Sequence, residues 1–238
     1  MDWSKYKLIV FGCSFVYGHG LPDCIAADGQ SQGPKPSKLA WPSHLFAKQG
    51  FKSLDNQGIC GASNKQITRA ILNYDYNEPC VVVIQWSRFV RKTFFKTQDE
   101  DLHMMPHFIK HNRMPQGFWN LFGETKDDYT NKVRMYYDHF YYDYDVYFEQ
   151  CLLTNFIHNW LEERSIKNFH LFEDKEINEF KKTFNLTKSK TLQAKTFRFN
   201  KDFKVDNALD TKNKQPHPGV RSQVHFSDFV KNWLDTCD

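Results

Sequence analysis

Lys7-Leu8-Ile9-Val10-Phe11-Gly12-Cys13-Ser14-Phe15-Val16-Tyr17-Gly18-His19-Gly20 decides how the rest of the chain is read. Lys7 to Phe11 suits a buried strand, and it runs into a glycine, a cysteine and a serine, with Gly18 and Gly20 close behind. The strand must therefore end in a sharp, close-packed turn that presents Ser14. In open α/β sheets ligands bind beyond the carboxyl ends of parallel strands. A helix starting there aims unpaired N–H groups and the positive end of its dipole into the crevice. A serine at that junction is placed to act as a nucleophile, with its own N–H available to an oxyanion. It is equally suited to capping the next helix, and this stretch alone leaves both readings open.

A second strand end of the same kind is Asn56-Gln57-Gly58-Ile59-Cys60-Gly61-Ala62-Ser63-Asn64, leading into a helix predicted over 65–74 with Ser63 or Asn64 as its cap. Gly61 there lets backbone approach a reacting carbonyl and donate an N–H. Cys80-Val81-Val82-Val83-Ile84-Gln85-Trp86 is a continuous run of the kind found in parallel sheets, followed by Ser87, Arg88 and Arg91. The two arginines read as solvated charge. Pro42 in a first turn and Gly50 past an end predict a helix over 41–50, with a short strand over 52–56 after it. Aromatic residues predict a helix over 127–144, and an apolar face from Val146 to Leu161 predicts another beginning at Asp145. Asn168 to Phe172 supplies a further strand. Strands alternating with helices predict a three-layer α/β/α sandwich with a mainly parallel, doubly wound sheet.

Near the end stands Gln215-Pro216-His217-Pro218-Gly219-Val220, before an amphipathic helix carrying Val224, Phe229, Val230, Trp233 and Leu234. A histidine between two prolines has a stiff backbone. A lone histidine is as a rule structural; with Ser14 at the other end of the chain, His217 reads as a catalytic base.

These blocks resemble those of the SGNH (GDSL-like) hydrolases. Gly12, Cys13, Ser14 and Gly18 match the first block, with Cys13 where the family usually has aspartate. Val16 rules out the G-x-S-x-G elbow of α/β-hydrolases. Asn56 and Gly61 match the second block, and His217-Pro218 the last, with His225 where many members have a second histidine. The resemblance implies that Ser14 attacks an acyl carbonyl and His217 moves the proton. It further implies that the N–H groups of Ser14 and Gly61 hold the oxyanion, with Ser87 or Asn64 assisting. The implied substrates are esters, often acetyl groups on carbohydrate, with no metal and no cofactor. A nucleophilic role for Cys13 ranks below Ser14.

Two positions depart from the pattern. Ser87 falls where the family has an oxyanion asparagine, and Lys214 stands three residues before His217 where the family has aspartate. Loss of that carboxylate costs on the order of 10⁴ in rate in a triad enzyme. Either Asp206 or Asp210 reaches back to the imidazole, or a backbone carbonyl orients it; Asp210 is taken as the third member. The departures keep a rival in view, a decayed SGNH-type domain retained for binding or structure, for instance in a virus particle. The Gly-Cys-Ser-Phe block and His-Pro-Gly tail also resemble SGNH-like proteins encoded by phages.

Size and composition bound the rest. The 238 residues suffice for one domain, with a variable insertion at about 92–145. With 32 basic and 28 acidic side chains the net charge of +4 gives no case for nucleic acid as a partner. No stretch approaches the roughly 20 apolar residues of a membrane span. The first strand begins too early for a signal peptide, which predicts folding in the cytosol. Homo-oligomerisation stays open. Six cysteines without C-x-x-C or zinc spacing predict reduced thiols. His103, His107 and His111 share a spacing of four, but Pro106 interrupts them and no further ligand completes a metal set. Residues 173–214 read as polar surface with an extra strand near Lys195 to Phe199.

Overall fold

The computed structural model describes residues 2–25, 32–95, 97, 101–104, 126–173, 192–210 and 217–237. Its strands are β1 (Lys7–Gly12), β2 (Ser53–Gly58), β3 (Cys80–Gln85), β4 (Lys92–Phe95), β5 (Asp101–Met104), β6 (Lys167–Glu173) and β7 (Gln193–Phe197). Its α-helices are α1 (Ser14–Tyr17), α2 (Trp41–Gln49), α3 (Asn64–Leu72), α4 (Lys126–His139), α5 (Asp143–Glu162) and α6 (Val220–Asp235). Five strands form one parallel sheet in the order β2-β1-β3-β6-β7. Counted within that sheet alone the order is 2-1-3-4-5, which places the topological switch point between β1 and β3.

Alternation along β1 sends successive side chains to opposite faces. Leu8 and Val10 join Val81, Val83, Phe169 and Leu171 against Trp41 and Leu45 of α2 and Phe226 and Val230 of α6. Ile9 and Phe11 join Val82 and Ile84 against Ile67 and Ile71 of α3 and Ile157 and Leu161 of α5. Both faces of the sheet are thus covered, and β3 is buried along its whole length. The edge strand β2 is half-exposed and carries Asp55, Asn56 and Gln57, side chains that discourage a further strand from pairing.

Most elements fall where the sequence places them, with shifts at their ends. The strand expected over 52–56 runs to Gly58. The helix expected over 127–144 stops at His139, and the next begins at Asp143. The antiparallel pair β4–β5 is a departure, since no strand is legible there. It is held to α3 by polar contacts: Ser63 Oγ donates to Thr93 Oγ1 at 2.8 Å, and Arg69 forks onto Asp101 at 2.8 and 2.5 Å. Residues 105–125 of the expected insertion lie outside the described residues. The polar stretch after β6 is also not simply surface, because Phe197, Phe199, Ala208 and Asp210 are buried. Phe197, Phe199, Phe203 and Phe229 ring Phe226 at centroid distances of 4.6 to 5.8 Å, so much of the aromatic content here is core. Among the described residues no helix is long and apolar enough to cross a membrane.

Candidate active site

Ser14 sits at the switch point, directly beyond the end of β1. Cys13 occupies the N-cap position of α1 without a side-chain cap bond and Ser14 is the first helical residue, so Ser14 does not take the capping role left open from the sequence. Glycine is required before this turn: a Cβ on Gly12 would lie 2.4 Å from Val16 Cγ2 and 2.9 Å from the Gln85 carbonyl oxygen. Gly18, at φ 79°, ends the helix after a single turn.

The loop before α6 brings His217 to this point. Its carbonyl accepts from Ala208 N–H at 2.8 Å, Gly219 N–H donates to the Asp206 carbonyl at 3.1 Å, and Leu209 N–H donates to the Gly20 carbonyl at 2.8 Å. These backbone bonds tie three segments together: the turn after α1, the stretch 206–210 and the histidine loop. The two candidate aspartates take different tasks. Asp206 accepts from Arg221 N–H at 3.0 Å, Ser222 N–H at 2.9 Å and Ser222 Oγ at 2.5 Å, which satisfies the first turn of α6. Burial raises its pKa, but the bonds from Ser222 and Arg221 outweigh that and hold it below the usual carboxylate value. Asp210 meets the imidazole: Oδ2 is 2.7 Å from His217 Nδ1, and Oδ1 accepts from His217 N–H at 3.1 Å. On the other side of the ring, His217 Nε2 lies 3.0 Å from Ser14 Oγ, across a sequence separation of 203. With the carboxylate accepting from Nδ1–H, Nε2 is left as the acceptor for the serine hydroxyl.

His19 is a member of this cluster that the sequence reading did not single out. Its ring centroid is 4.8 Å from that of His217, and its Nδ1 is 3.8 Å from Cys60 Sγ. Burial, and then the neighbouring His217, push its pKa below the ordinary histidine value, with Asp210 opposing. The signal available in the sequence was its position between Gly18 and Gly20, inside the turn that presents Ser14. His19, Asp210 and His217 have ligand atoms within 4.8 Å of one another. His217 already spends one nitrogen on Asp210 and the other on Ser14, so a metal would have to break one of those bonds. His103 bonds Thr93 Oγ1 at 3.2 Å and Gln66 Nε2 at 3.3 Å, while His107 and His111 lie outside the described residues. His225 is exposed on α6.

On the facing side, Gly61 adopts φ 77° in the turn after β2, a conformation glycine reaches without strain. Asn56 ties the end of β2 to α1, donating from Nδ2 to the Val16 carbonyl at 2.7 Å and accepting from Gly58 N–H at 3.0 Å. Asn64 is buried with both amide donors engaged, one on the Ser87 carbonyl at 3.1 Å and one on Gln150 Oε1 at 2.6 Å. Its Oδ1 accepts from Ser87 N–H at 2.7 Å. It has no donor left for an oxyanion, which corrects the expectation drawn for it. Asn64 instead holds the backbone that presents Ser87. Ser87 Oγ accepts from Arg91 Nη1 at 3.0 Å, so Arg91 is a brace within the site and not solvated charge. Arg88 pairs with Glu173 at 3.3 Å near the surface. Cys60 is held strongly towards its neutral thiol, chiefly by burial. The imidazole faces Ser14 Oγ, and Cys13 is buried at the N-cap position.

No family model and no curated protein matches this sequence. Among solved structures the chain is similar to a carbohydrate esterase whose active site is described as displaying divergent catalytic and non-catalytic binding functions. The likeness has 11% identity and a TM-score of 0.55, covering 98% of this chain and 65% of the esterase. It is also similar to an acetyl xylan esterase from the rumen bacterium Butyrivibrio proteoclasticus, at 10% identity and TM-score 0.48, covering 98% of this chain and 65% of that one. A third is a lipolytic protein of the G-D-S-L family from Desulfitobacterium hafniense, at 12% identity and TM-score 0.45, covering 96% and 99%. The first likeness establishes a shared fold and nothing finer, and the other two are too distant to add to it. The chain has a three-layer α/β/α fold shared with the first of these structures, of whose length it spans 65%.

Proposed function

We propose that this protein is a serine ester hydrolase of the SGNH type. The observation that carries the reading is the unbroken line from Ser14 Oγ to His217 Nε2 at 3.0 Å and from His217 Nδ1 to Asp210 Oδ2 at 2.7 Å. Ser14 Oγ attacks the acyl carbon while its proton passes to His217 Nε2, and the buried Asp210 carboxylate stabilises the imidazolium that results. The oxyanion is held by the N–H groups of Ser14 and Gly61, with the Ser87 hydroxyl assisting. Collapse expels the alcohol, protonated by His217. A water then attacks the acyl-serine, giving its proton to His217, and the carboxylate product leaves as Ser14 regains its hydrogen. Every proton in this sequence has a donor and an acceptor among the chain's own residues and water.

O-acetyl groups on carbohydrate, or small esters, are the substrates we assign. The rival reading, a decayed domain kept for binding or as part of a virus particle, drew its support from Lys214 and Ser87. Asp210 supplies the carboxylate from another position and weakens that case. Hydrolysis of p-nitrophenyl acetate tests the proposal: turnover by wild type, and a fall of about 10³-fold or more in Ser14→Ala and His217→Ala, is the expected result. Equal rates in all three proteins would overturn it.

A further inference from the structure

At the opposite end of the sheet from Ser14, where β1, β3 and β6 begin, lies a cleft of 710 Å³ that the proposed chemistry does not use. Its volume is in the range of about 300 to 1,000 Å³ typical of ligand sites. Tyr6, Pro79 and Ile166, the residues just before those strands, contribute to it, and so do the segments after the C-terminal ends of α3 and α5. Three aromatic side chains define its character. Tyr74 and Tyr76 stand with centroids 4.9 Å apart, Tyr76 and Trp160 with centroids 5.8 Å apart, and all three are half-buried. Rings left half-covered at a cleft wall present apolar area with polar atoms beside it. Charged groups of both signs join them. Arg164 lies 3.8 Å over the Trp160 ring, and the Glu78 carboxylate is 2.8 Å from Lys52.

One backbone feature marks the same place. Ser165 has φ 58°, among the described residues the only non-glycine in the left-handed region. Ser165 N–H donates to the Glu162 carbonyl at 2.8 Å and Ile166 N–H to the Leu161 carbonyl at 3.0 Å, the paired bonds that close a helix on a glycine as a rule. A serine at that position, lining the cleft, adds a hydroxyl where the backbone would favour its absence.

We propose that this cleft is a second binding site, for a neutral sugar chain. A pyranose ring offers C–H faces to aromatic side chains and a rim of hydroxyl groups to paired charges and hydroxyls. The Glu78 carboxylate is paired with Lys52 at 2.8 Å and with Lys7 at 3.7 Å, so these charges offset one another, and they suit a neutral polyhydroxyl ligand better than a wholly apolar one. The six residues of β1 separate the cleft from Ser14, a span of about 20 Å, so the two sites are distinct. Binding at the cleft stands apart from the esterase reading. Only its benefit to turnover, raising the local concentration of glycan-borne esters, rests on that reading.

The test is titration of wild type with cellohexaose, xylohexaose and chitohexaose, followed by tryptophan fluorescence and calorimetry. At least one is expected to bind with Kd of about 10⁻⁴ to 10⁻³ M. That affinity should fall about tenfold or more in Trp160→Ala, Arg164→Ala and Glu78→Gln, and stay unchanged in Ser14→Ala. Arg164 and Glu78 lie outside the core, so those two variants decide the matter if Trp160→Ala does not fold. Absence of binding by all three sugars, wild-type affinity in the cleft variants, or tighter binding of decanoate than of any sugar would overturn the proposal. Loss of p-nitrophenyl acetate hydrolysis would leave this result untouched and bear only on the esterase.

Discussion

Asp210 Oδ2 lies 2.7 Å from His217 Nδ1, seven residues on in the chain. The antiparallel bridge between Asn207 and Pro218, with Ala208 N–H donating to the His217 carbonyl at 2.8 Å, sets the two backbones side by side, and carboxylate and imidazole face each other. The family position three residues before the histidine, here Lys214, is therefore not the place to look for the orienting group.

Asp210→Asn should separate the two aspartates. It keeps the shape of the site but removes the charge that fixes the imidazole tautomer, so kcat for p-nitrophenyl acetate is expected to fall by about 10³ to 10⁴ with the circular dichroism spectrum unchanged. Asp206→Asn should do the reverse. It weakens the start of α6 by about 1 kcal/mol, read as a lower urea midpoint, and leaves kcat per folded molecule near wild type. Full activity in Asp210→Asn would remove Asp210 from the mechanism.

Gly20 and Gly50 form a matched pair. Both have positive φ, 81° and 73°, so alanine strains the backbone at either position by about 1 kcal/mol. A Cβ on Gly20 would meet Asp210 Oδ1 at 2.8 Å, whereas one on Gly50 meets nothing within 4 Å. Gly20→Ala is expected to lower kcat by about tenfold or more by displacing the carboxylate. Gly50→Ala should lose stability alone, and equal kcat in the two variants would contradict this account.

Acid should destabilise the fold through its buried histidines. His170 is wholly enclosed, and burial followed by the neighbouring His158 carries its pKa from 6.5 down to about 3. Trp86 Nε1 donates to its Nδ1 at 3.0 Å, so the proton sits on Nε2, facing Asn168 Oδ1 at 2.8 Å. Between pH 3 and 6.5 the unfolded chain binds a proton that the folded chain refuses. The contribution is therefore complete above pH 6.5 and lost as pH falls, by about 1 kcal/mol per pH unit for each such proton. His19, His44 and His103 shift in the same direction. Urea midpoints should rise from pH 4 to about 6.5 and then level off, and His170→Phe should flatten that slope while lowering stability at pH 8 by about 1 to 3 kcal/mol.

Asn64→Ala tests the brace beneath Ser87. It strands the Ser87 N–H and carbonyl and the Gln150 amide oxygen in the interior, with an expected loss of about 2 to 3 kcal/mol. If Asn64 only shapes the backbone, Asn64→Asp, which keeps the acceptor for Ser87 N–H, should retain more activity than Asn64→Ala. Equal kinetics in the two would contradict that role.

The parts of this protein that depend on neighbouring residues were legible before any coordinates. Buried parallel strands announce themselves as unbroken apolar runs, and β3 is one. Gly12, Gly18 and Gly61 mark turns whose geometry tolerates little else, and Pro42 with Gly50 brackets α2. The pair β4–β5 was not legible, because its burial follows no alternation and its anchoring is a set of polar contacts to α3. His19 was missed for a related reason: its place between two glycines was visible, but the imidazole it faces comes from the other end of the chain.

The chain's own order of residues determined the layered fold, the serine at a strand end and the histidine before the last helix, since each follows from propensity and periodicity over a few positions. Which groups meet was decided only by the tertiary structure. Ser14 and His217 are 203 positions apart, and the choice of Asp210 over Asp206 follows from Asp206 being consumed at the start of α6. Asn64 had the right chemistry for an oxyanion, but its donors were claimed by Ser87 and Gln150. A side chain's partners depend on which elements pack beside it, and that competition is absent from any short stretch of sequence.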